Sequence, residues 1–219
     1  MIDLIILGAS GTAIDVLDII DAINRQRATY RCIGLLDDDP AKRDTVLEGV
    51  RVLGSLVDAP RWPGARFVDA LGSPTSFRER SAIVARTGVA SDRFETLIHP
   101  SAQVSPRCNV GPGAIIYPLV TIAANVTVGE HVIVLANSVI NHDCRVGDYT
   151  ILTSGVCLSG RVTVGAACYL GTGSSVIQDA VIGERSLVGM GSVVIRDIER
   201  ESVVVGAPAR VLRRVGAST

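Results

Sequence analysis

The 219-residue sequence has few aromatic residues, and its charges nearly cancel. Phe, Trp and Tyr make up 4% of the chain, so large rings cannot fill the core as they ordinarily do. The formal net charge of −1 excludes the basic field that holds nucleic acid or an anionic membrane. The longest apolar runs are too short to cross a bilayer, and MIDLIILGAS lacks the cationic segment and cleavage site of a signal peptide. We therefore expect a soluble cytoplasmic protein with no nucleic-acid or membrane partner.

The cysteines form neither a metal-binding pattern nor a disulfide pattern. There are five of them, an odd number, and none belongs to a CxxC pair. We interpret them as small buried hydrophobic residues in a reducing compartment. They are Cys32, Cys108, Cys144, Cys157 and Cys168.

A strict six-residue repeat runs through the second half of the chain. An Ile, Val or Leu stands at every sixth position from Ile98 to Val194, and a mostly small residue follows four positions after each. Neither an α-helix nor simple strand alternation has this period, whereas short strands joined by tight bends do. Glycines recur every 18 residues, at Gly111, Gly129, Gly147, Gly165 and Gly183. We expect a three-sided parallel coil whose narrow interior holds stacked aliphatic side chains, with these glycines at positive φ in one corner.

Residues 1–95 follow a different pattern, in which strands and helices alternate. An apolar strand at 4–7 leads into the glycine loop GASG (8–11) and an amphipathic helix to about residue 25. Further strands are predicted at 31–36, 50–53 and 66–71, then a helix to about 86 and a last strand near Thr96. This alternation predicts a small parallel sheet of Rossmann-like type. We expect two domains, at 1–95 and 96–219.

The GASG loop is the candidate nucleotide site. A strand, a glycine loop and a helix N-terminus direct backbone N–H groups and the helix dipole at a phosphate. Asp37 or Asp38, at the end of the next strand, could accept hydrogen bonds from a ribose or a base. The alternative is a tight turn followed by a solvated acidic loop. We favour nucleotide binding without dinucleotide redox chemistry, because no substrate domain of the usual kind follows.

The repeat assigns a position to each of the three histidines. His99 stands where the chain enters the coil and should pack locally, and His131 should face outward without a clear partner. His142 should project from a bend, surrounded by polar residues, namely Asn137, Asn141 and Asp143. An exposed imidazole beside a carboxylate is suited to general-base catalysis, because the carboxylate fixes the tautomer and stabilises the imidazolium. The alternative is a solvated turn histidine.

The segment NSVINHDCRVGDYTILTSGVCLSGRVTVG (137–165) resembles the sugar acetyltransferases related to sialic acid O-acetyltransferase and the bacillosamine-pathway N-acetyltransferase. The resemblance extends to GASG, IHPSA (98–102), the hexads and VVGAPAR (204–210), and is strongest to the members that act on GDP-perosamine. It implies a Rossmann-like domain followed by a left-handed parallel β-helix of hexapeptide repeats, assembled as a homotrimer. It further implies transfer of acetyl from acetyl-CoA, without a metal, to the 4-amino group of a nucleotide-linked amino-deoxysugar. The implied setting is the cytoplasmic synthesis of lipopolysaccharide O-antigen.

The resemblance also implies roles for individual residues. His142 would be the general base, with Asp143 orienting it, and Gly160 would offer its backbone N–H to the thioester oxygen. Acetyl-CoA would lie between the β-helices of neighbouring subunits, against Gly160, Thr172, Gly173, Met190, Pro208 and Ala209. The nucleotide sugar would be held by Ser10, Gly11, Thr12, Asp37, Asp38 and Gly54. The tail arginines Arg210, Arg213 and Arg214 would either contact the CoA phosphates or remain solvated.

Two positions depart from the family pattern. Many relatives carry a histidine after GxxG, where this chain has Thr12, and many carry HIAPG where it has ILTSG. Ile151 therefore replaces a second histidine, which leaves His142 as the one candidate base. Thr12 argues against a plain bacillosamine-type enzyme.

Three other functions use parts of the same pattern. A sialic-acid-type O-acetyltransferase would use the same residues. A metalloenzyme like the γ-carbonic anhydrases would share the prism but needs clustered histidines for zinc, and the three here fall on different faces. A non-catalytic nucleotide-sugar binding protein would show no acetyl-CoA turnover.

Overall fold

The structure of the protein is a computed structural model that describes residues 1–214. A five-stranded sheet is formed by strands within the first 70 residues. Strands β1 to β5 are Ile2–Leu7, Tyr30–Leu36, Val46–Leu47, Val50–Gly54 and Arg66–Asp69, in the order β3-β4-β2-β1-β5. All pairings are parallel except the β3–β4 hairpin, which the sequence did not predict. The strands that follow β1 in the chain are added first on one side of it, beginning with β2, and then on the other side, where β5 lies. This switch in strand order is typical of Rossmann-like sheets.

Two α-helices accompany this sheet, α1 at Gly11–Gln26 and α2 at Arg80–Ala85. Short 3-10 helices lie at Pro40–Lys42, Leu56–Arg61, Phe77–Glu79 and Ser91–Arg93. The buried residues of α1 include Ala13, Val16, Ile19 and Ile20, at the three- and four-residue spacing of one helix face. That face packs into the main core, so the position of α1 is fixed by burial along its length.

From residue 97 the chain forms short parallel strands, β6 to β22. Their bounds are Leu97–Ile98, Gln103–Val104, Asn109–Val110, Ile115–Ile116, Thr121–Ile122, Thr127–Val128, Ile133–Val134, Val139–Ile140, Arg145–Val146, Ile151–Leu152, Cys157–Leu158, Thr163–Val164, Tyr169–Leu170, Ser175–Val176, Val181–Ile182, Leu187–Val188 and Val193–Val194. Strands β23 (Ser202–Val205) and β24 (Arg210–Arg214) close the coil. The end of the predicted 96–219 domain, residues 215–219, lies outside the described residues.

Each strand from β6 to β19 pairs with the strand 18 residues later, which produces three faces. The first face contains β6, β9, β12, β15, β18, β21, β23 and β24, the second β7, β10, β13, β16, β19 and β22, and the third β8, β11, β14, β17 and β20. The predicted fold, a Rossmann-like sheet followed by a parallel β-helix of hexapeptide repeats, is confirmed. The strand predicted near Thr96 as the end of the first sheet is instead β6, which pairs with β9 in the first face.

The interior of the β-helix contains the two predicted series of inward side chains. In the series of large residues, Ile116, Val134 and Leu152 are fully buried, and in the series of small residues Cys144 and Cys168 are fully buried. Ile98, which is in register with Ile116, is nevertheless 37% exposed because no coil stacks above the first one. The remaining cysteines, Cys32, Cys108 and Cys157, are only partly buried.

The glycines at 18-residue spacing do not adopt positive φ, contrary to the prediction. Positive φ instead recurs every six residues from Gly113 to Gly191, mostly at residues other than glycine. At Gly147 and Gly165 a Cβ would lie 2.5 Å from a backbone nitrogen of the next coil. Glycine is therefore required in this corner by close coil stacking, because a side chain would push the coils apart.

A buried ionic network joins the first sheet to the β-helix. Arg80 donates to Asp69 at 2.9 Å and to the carbonyl oxygens of His131 and Tyr149, while the His131 ring lies 3.2 Å from the Asp69 carboxylate. His131 also stacks on Tyr149 at 4.7 Å between centroids. The expectation that His131 lacks a partner is therefore wrong, because residues distant in sequence cover the corner on which it stands.

Candidate active site

His142 and Asp143 form an exposed pair at the corner between the second and third faces. The His142 Nδ1 atom lies 2.8 Å from the Asp143 Oδ2 atom, and the two side chains are 55% and 45% exposed. Asp143 takes up positive φ, which turns the chain at this point. The hydrogen bond at Nδ1 leaves Nε2 to meet a substrate, so the pair has the geometry of a general base with its orienting carboxylate.

A residue one coil away, Asn125, completes this pair. Its amide donates to Asp143 Oδ1 at 3.0 Å. Hydrogen bonds from His142 and Asn125 hold the pKa of the Asp143 carboxyl below its ordinary value. The expected polar cluster is partly wrong, because Asn141 donates to the Leu158 carbonyl and Asn137 stands at another corner. The 18-residue spacing between Asn125 and Asp143 was the sequence signal that could have identified this contact.

Gly160 lies against the ring of His142. A Cβ at this position would be 2.8 Å from both Cε1 and Nε2 of the imidazole. Within residues 1–214 the Gly160 N–H donates to no protein atom, whereas its carbonyl accepts from Asp179. A free backbone donor thus stands beside the candidate base. Cys144, the adjacent thiol, is fully buried inside the prism and offers no exposed nucleophile.

Three cavities follow one another along the corner between the first and second faces. The first, about 280 Å³, is lined by Asp15, Asp18, His99, Tyr117 and Leu135 among others. The second, about 240 Å³, shares Leu135 with it, and the third, also about 240 Å³, shares Pro74 and Tyr169 with the second. Because neighbouring cavities share lining residues, the three together form a discontinuous groove that runs along the axis of the β-helix, beside α1.

The second cavity brings together the two positions that depart from the family pattern. Thr12 and Ile151 both line it, with Ile133, Leu135 and Tyr169. No charged side chain is among its lining residues, so an amine placed here would favour its neutral form. Ile151 itself is buried against Gly72, where a Cβ would lie 2.7 Å from its Cδ1.

The third cavity is lined by some of the residues that were predicted to contact acetyl-CoA. Thr172 and Met190 line it, with Met190 80% exposed, and Gly173 follows in the chain at positive φ. Pro208 and Ala209 do not line it. Ala209 is buried, and its N–H donates to the Val193 carbonyl, so it anchors the closing strand.

The first cavity is acidic. The pKa of Asp15 is raised, mainly by burial and to a smaller extent by the negative charge of Asp18. The pKa of His99 is lowered, mainly by burial and to a smaller extent by the positive charge of Arg25. Tyr117 is 5% exposed, and its hydroxyl has no hydrogen-bond partner among residues 1–214. Sequence reasoning did not identify Asp15, Asp18 or Tyr117 as functional candidates, although the aspartates lie one helical turn apart on α1.

The predicted nucleotide residues meet at the carboxyl ends of the parallel strands. Ser10 caps α1 without a side-chain hydrogen bond, and the N–H groups of Gly11 and Thr12 donate to no protein atom in the described chain. No acidic residue occupies the first turn, so the positive end of the dipole is free for an anion.

The neighbouring acidic residues already make contacts within the protein. Asp37 accepts from the Ala9 N–H at 2.7 Å and from Lys42, which shapes the glycine loop. Asp38 accepts from the Leu56 N–H and pairs with Arg86. The Gly54 carbonyl accepts from the Asp37 N–H, and a Cβ at Gly54 would clash with Asp58. These contacts hold the residues together at the strand ends and leave Asp38 partly exposed.

The part of the chain that the structure describes contains no group of three or more His, Cys, Asp or Glu side chains that could hold a metal ion. No helix among residues 1–214 is long and apolar enough to cross a membrane.

Two protein-family descriptions match the chain. The PglD N-terminal domain matches residues 3–82, and the bacterial transferase hexapeptide repeats match residues 125–160. No curated protein matches the chain.

Solved structures resemble almost the whole chain. PerB from Caulobacter crescentus, in complex with CoA and GDP-perosamine, is 31% identical with a TM-score of 0.84, and the match covers 96% of this chain and 97% of PerB. The acetyltransferase domain of PglB from Neisseria gonorrhoeae, in complex with acetyl coenzyme A, is 27% identical with a TM-score of 0.83, covering 96% and 98%. WeeI from Acinetobacter baumannii shares the fold at 24% identity, a TM-score of 0.81 and coverage of 97% and 100%. By its similarity to PerB over nearly its full length, this chain belongs to the hexapeptide-repeat sugar acetyltransferases that carry a PglD-type N-terminal domain.

Proposed function

We propose that this protein is an acetyl-CoA-dependent N-acetyltransferase that acts on the 4-amino group of a nucleotide-linked amino-deoxysugar, with GDP-perosamine the favoured acceptor. The observation that carries the proposal is the exposed His142–Asp143 pair beside the free Gly160 N–H. The similarity to PerB, which was crystallised with CoA and GDP-perosamine, supports the choice of substrates. Two related structures of that protein carry a histidine-to-asparagine and a histidine-to-alanine substitution.

In this mechanism His142 acts as the general base. As the neutral sugar amine attacks the thioester carbonyl, His142 Nε2 takes up the amine proton and Asp143 stabilises the resulting imidazolium. The Gly160 N–H donates to the oxygen on which negative charge develops. Collapse of the tetrahedral species forms the amide and releases the thiol of CoA, which receives the proton. The buried position of Cys144 supports direct transfer without an acyl-enzyme.

We propose that the acyl donor lies in the third cavity of this groove, with Thr172, Gly173 and Met190 as its contacts. The cavity of Thr172 and Met190 has the apolar walls that a pantetheine arm requires. Pro208 and the tail arginines Arg210, Arg213 and Arg214 would contact the distal end of CoA at the closing strands, whereas the buried Ala209 would only hold that segment in place.

We propose that residues 1–95 hold the nucleotide sugar and residues 96–219 the acyl donor. The free N–H groups of Gly11 and Thr12 and the hydroxyl of Ser10 would bind the phosphates at the N-terminus of α1. Asp37, Asp38 and Gly54, at the neighbouring strand ends, would contact the nucleoside. Such an enzyme would supply an acetylated sugar for cytoplasmic O-antigen synthesis.

We further propose a homotrimer, because one chain cannot complete the site. His142 stands at the second–third corner, whereas the groove follows the first–second corner, with the second face between them. Apolar side chains are exposed on and beside that face, among them Leu119, Ile177, Val193 and Ile195. Packing this face against another copy would cover them and bring His142 of one subunit to the groove of the next.

The test is an acceptor screen. Acetyl-CoA consumption is measured with GDP-, UDP-, dTDP- and CMP-linked amino sugars, for the wild type and His142→Asn. The proposal expects turnover with an amino sugar and a loss of about 10²–10⁴-fold in the variant. Turnover of a sialic-acid-type hydroxyl acceptor alone would favour O-acetylation, and no turnover with any acceptor would favour a binding protein.

A further inference from the structure

The acidic cavity beside α1 has no role in the mechanism described above. It lies between α1 and the first–second corner, and Asp15, Asp18, His99 and Tyr117 line it. Two carboxylates in one partly buried cavity repel each other and can accept but not donate hydrogen bonds when ionised. By themselves they do not make a binding site, because acidic clusters are also common on solvated helix faces.

The Tyr117 hydroxyl gives this cavity its second, independent feature. Tyr117 is 5% exposed and its oxygen is buried, yet it makes no hydrogen bond within residues 1–214. Buried hydroxyls are almost always paired, because an unpaired one loses its hydrogen bonds to water without replacement. An unpaired hydroxyl beside two acceptor carboxylates indicates a site whose remaining hydrogen bonds come from a ligand.

The position of the cavity relates it to the proposed nucleotide site. Gly11 and Thr12 offer their free N–H groups at the start of α1, and Asp15 lies four residues after Gly11, or about 6 Å along the helix. Leu135 forms a wall of both this cavity and the neighbouring one that contains Thr12. A hexose joined to a diphosphate at the helix N-terminus would therefore reach Asp15 and Tyr117.

We propose that this cavity binds the hexose ring of the acceptor and selects an uncharged or cationic sugar with hydroxyl or amino donors. The inference rests on the proposed function. Ring hydroxyls would donate to the Asp15 and Asp18 carboxylates, and the Tyr117 hydroxyl would pair with a ring or hydroxyl oxygen. A carboxylated sugar would bring a third negative charge beside two aspartates and is excluded by Coulomb repulsion in a partly desolvated cavity.

The experiment compares three probes that share one nucleotide. Isothermal titration calorimetry measures the affinity of the full-length protein for GDP, GDP-mannose and GDP-mannuronate, the last two differing only in the carboxylate at C6. We expect GDP-mannose to bind about tenfold more tightly than GDP, and GDP-mannuronate to bind no better than GDP. The set UDP, UDP-glucose and UDP-glucuronate makes the same comparison for a uridine nucleotide.

Variants test the individual residues. Tyr117→Phe and Asp15→Asn should remove most of the advantage of the neutral sugar while the affinity for the bare nucleotide stays unchanged. Asp21→Asn is the matched control, because Asp21 is an exposed aspartate on α1 that does not line this cavity. The control should preserve all three affinities.

The outcomes separate this inference from the proposed function. Equal binding of the neutral and carboxylated sugars by the wild type, or unchanged sugar affinity in Tyr117→Phe and Asp15→Asn, overturns the inference and leaves acetyl transfer intact. Failure of every nucleotide and nucleotide sugar to bind overturns both.

Discussion

The imidazole of His142 lies against the backbone of Gly160, 2.8 Å from where a Cβ would stand. The two residues are 18 positions apart, one full coil, so the contact follows from the stacking of the β-helix. Any side chain at position 160 must displace the ring. The candidate base and the candidate oxyanion donor are therefore a single geometric unit.

Gly160→Ala tests this contact directly. The methyl group should push the His142 ring away from its position beside the free N–H, and kcat should fall by at least about 10²-fold. Steady-state kinetics with circular dichroism as a check of folding provide the measurement. Gly64→Ala is the control, because a Cβ there meets nothing within 4 Å. A kcat close to that of the wild type in Gly160→Ala would contradict the assignment of both residues.

The pH dependence of the reaction should depend on Asp143. Hydrogen bonds from His142 and Asn125 keep the pKa of this carboxyl below its ordinary value, so it remains ionised above about pH 4. Asp143→Asn removes the anion that stabilises the imidazolium, and the acid limb of kcat/KM should move to lower pH as kcat falls. Asn125→Ala keeps the anion, so it should lower kcat by a smaller factor without moving that limb. Identical pH profiles for the wild type and Asp143→Asn would argue against the pair acting as a unit.

The ionic network between the two parts of the chain should make a large contribution to stability. Burial by itself would raise the pKa of the Asp69 carboxyl. The charge of Arg80 and, to a smaller extent, the hydrogen bond with His131 have the opposite and larger effect, so that pKa is below its ordinary value. Arg80→Met leaves the carboxylate buried without its cation and should cost about 3–5 kcal/mol in urea unfolding at pH 7. The Asp69→Asn, Arg80→Met double variant should lose less, since neither charge remains.

The same network predicts how stability changes with acid. A depressed carboxyl pKa means that the stability contributed by Asp69 is present above its unfolded pKa, about 3.9, and is lost as pH falls through the folded value. The wild type should therefore lose this contribution only below about pH 4. If Arg80→Met unfolds at the same urea concentration as the wild type, the network is not a stabilising contact.

The inward register of the hexads can be tested with one buried charge. Val146 is 2% exposed inside the prism, so Val146→Asp places an unpaired carboxylate there and should prevent folding. Thr127→Asp adds the same charge at an exposed position on the neighbouring strand and should fold normally. Soluble, cooperatively unfolding Val146→Asp protein would mean that the inward series is wrong.

The second face should be covered in the assembled protein. Light scattering of the wild type should give the mass of three chains, and Ile177→Glu, at an exposed apolar position beside that face, should reduce the mass and the activity together. Asp179→Gln, on the exposed edge nearby, makes a polar substitution and should leave the mass unchanged. A monomeric wild type with full activity would contradict the composite site.

The sequence by itself determined the repetitive part of this protein. A period of six with large and small residues alternating admits one solution, a three-sided coil, because each inward position depends only on neighbours six and 18 residues away. His142 could be assigned to an outer corner for the same reason. The glycine periodicity was also visible, but its cause was not: a sequence cannot distinguish a residue that needs positive φ from one that must admit a neighbouring coil.

Only the tertiary structure decided the contacts between the two parts of the chain. The partner of His131 is Asp69, 62 residues away, and the acidic cavity joins Asp15 on α1 to Tyr117 on the β-helix. No period relates these pairs, because they depend on how the sheet and α1 pack against the first face. The short-range repeat therefore fixes which side chains point outward, and long-range packing decides what each of them meets.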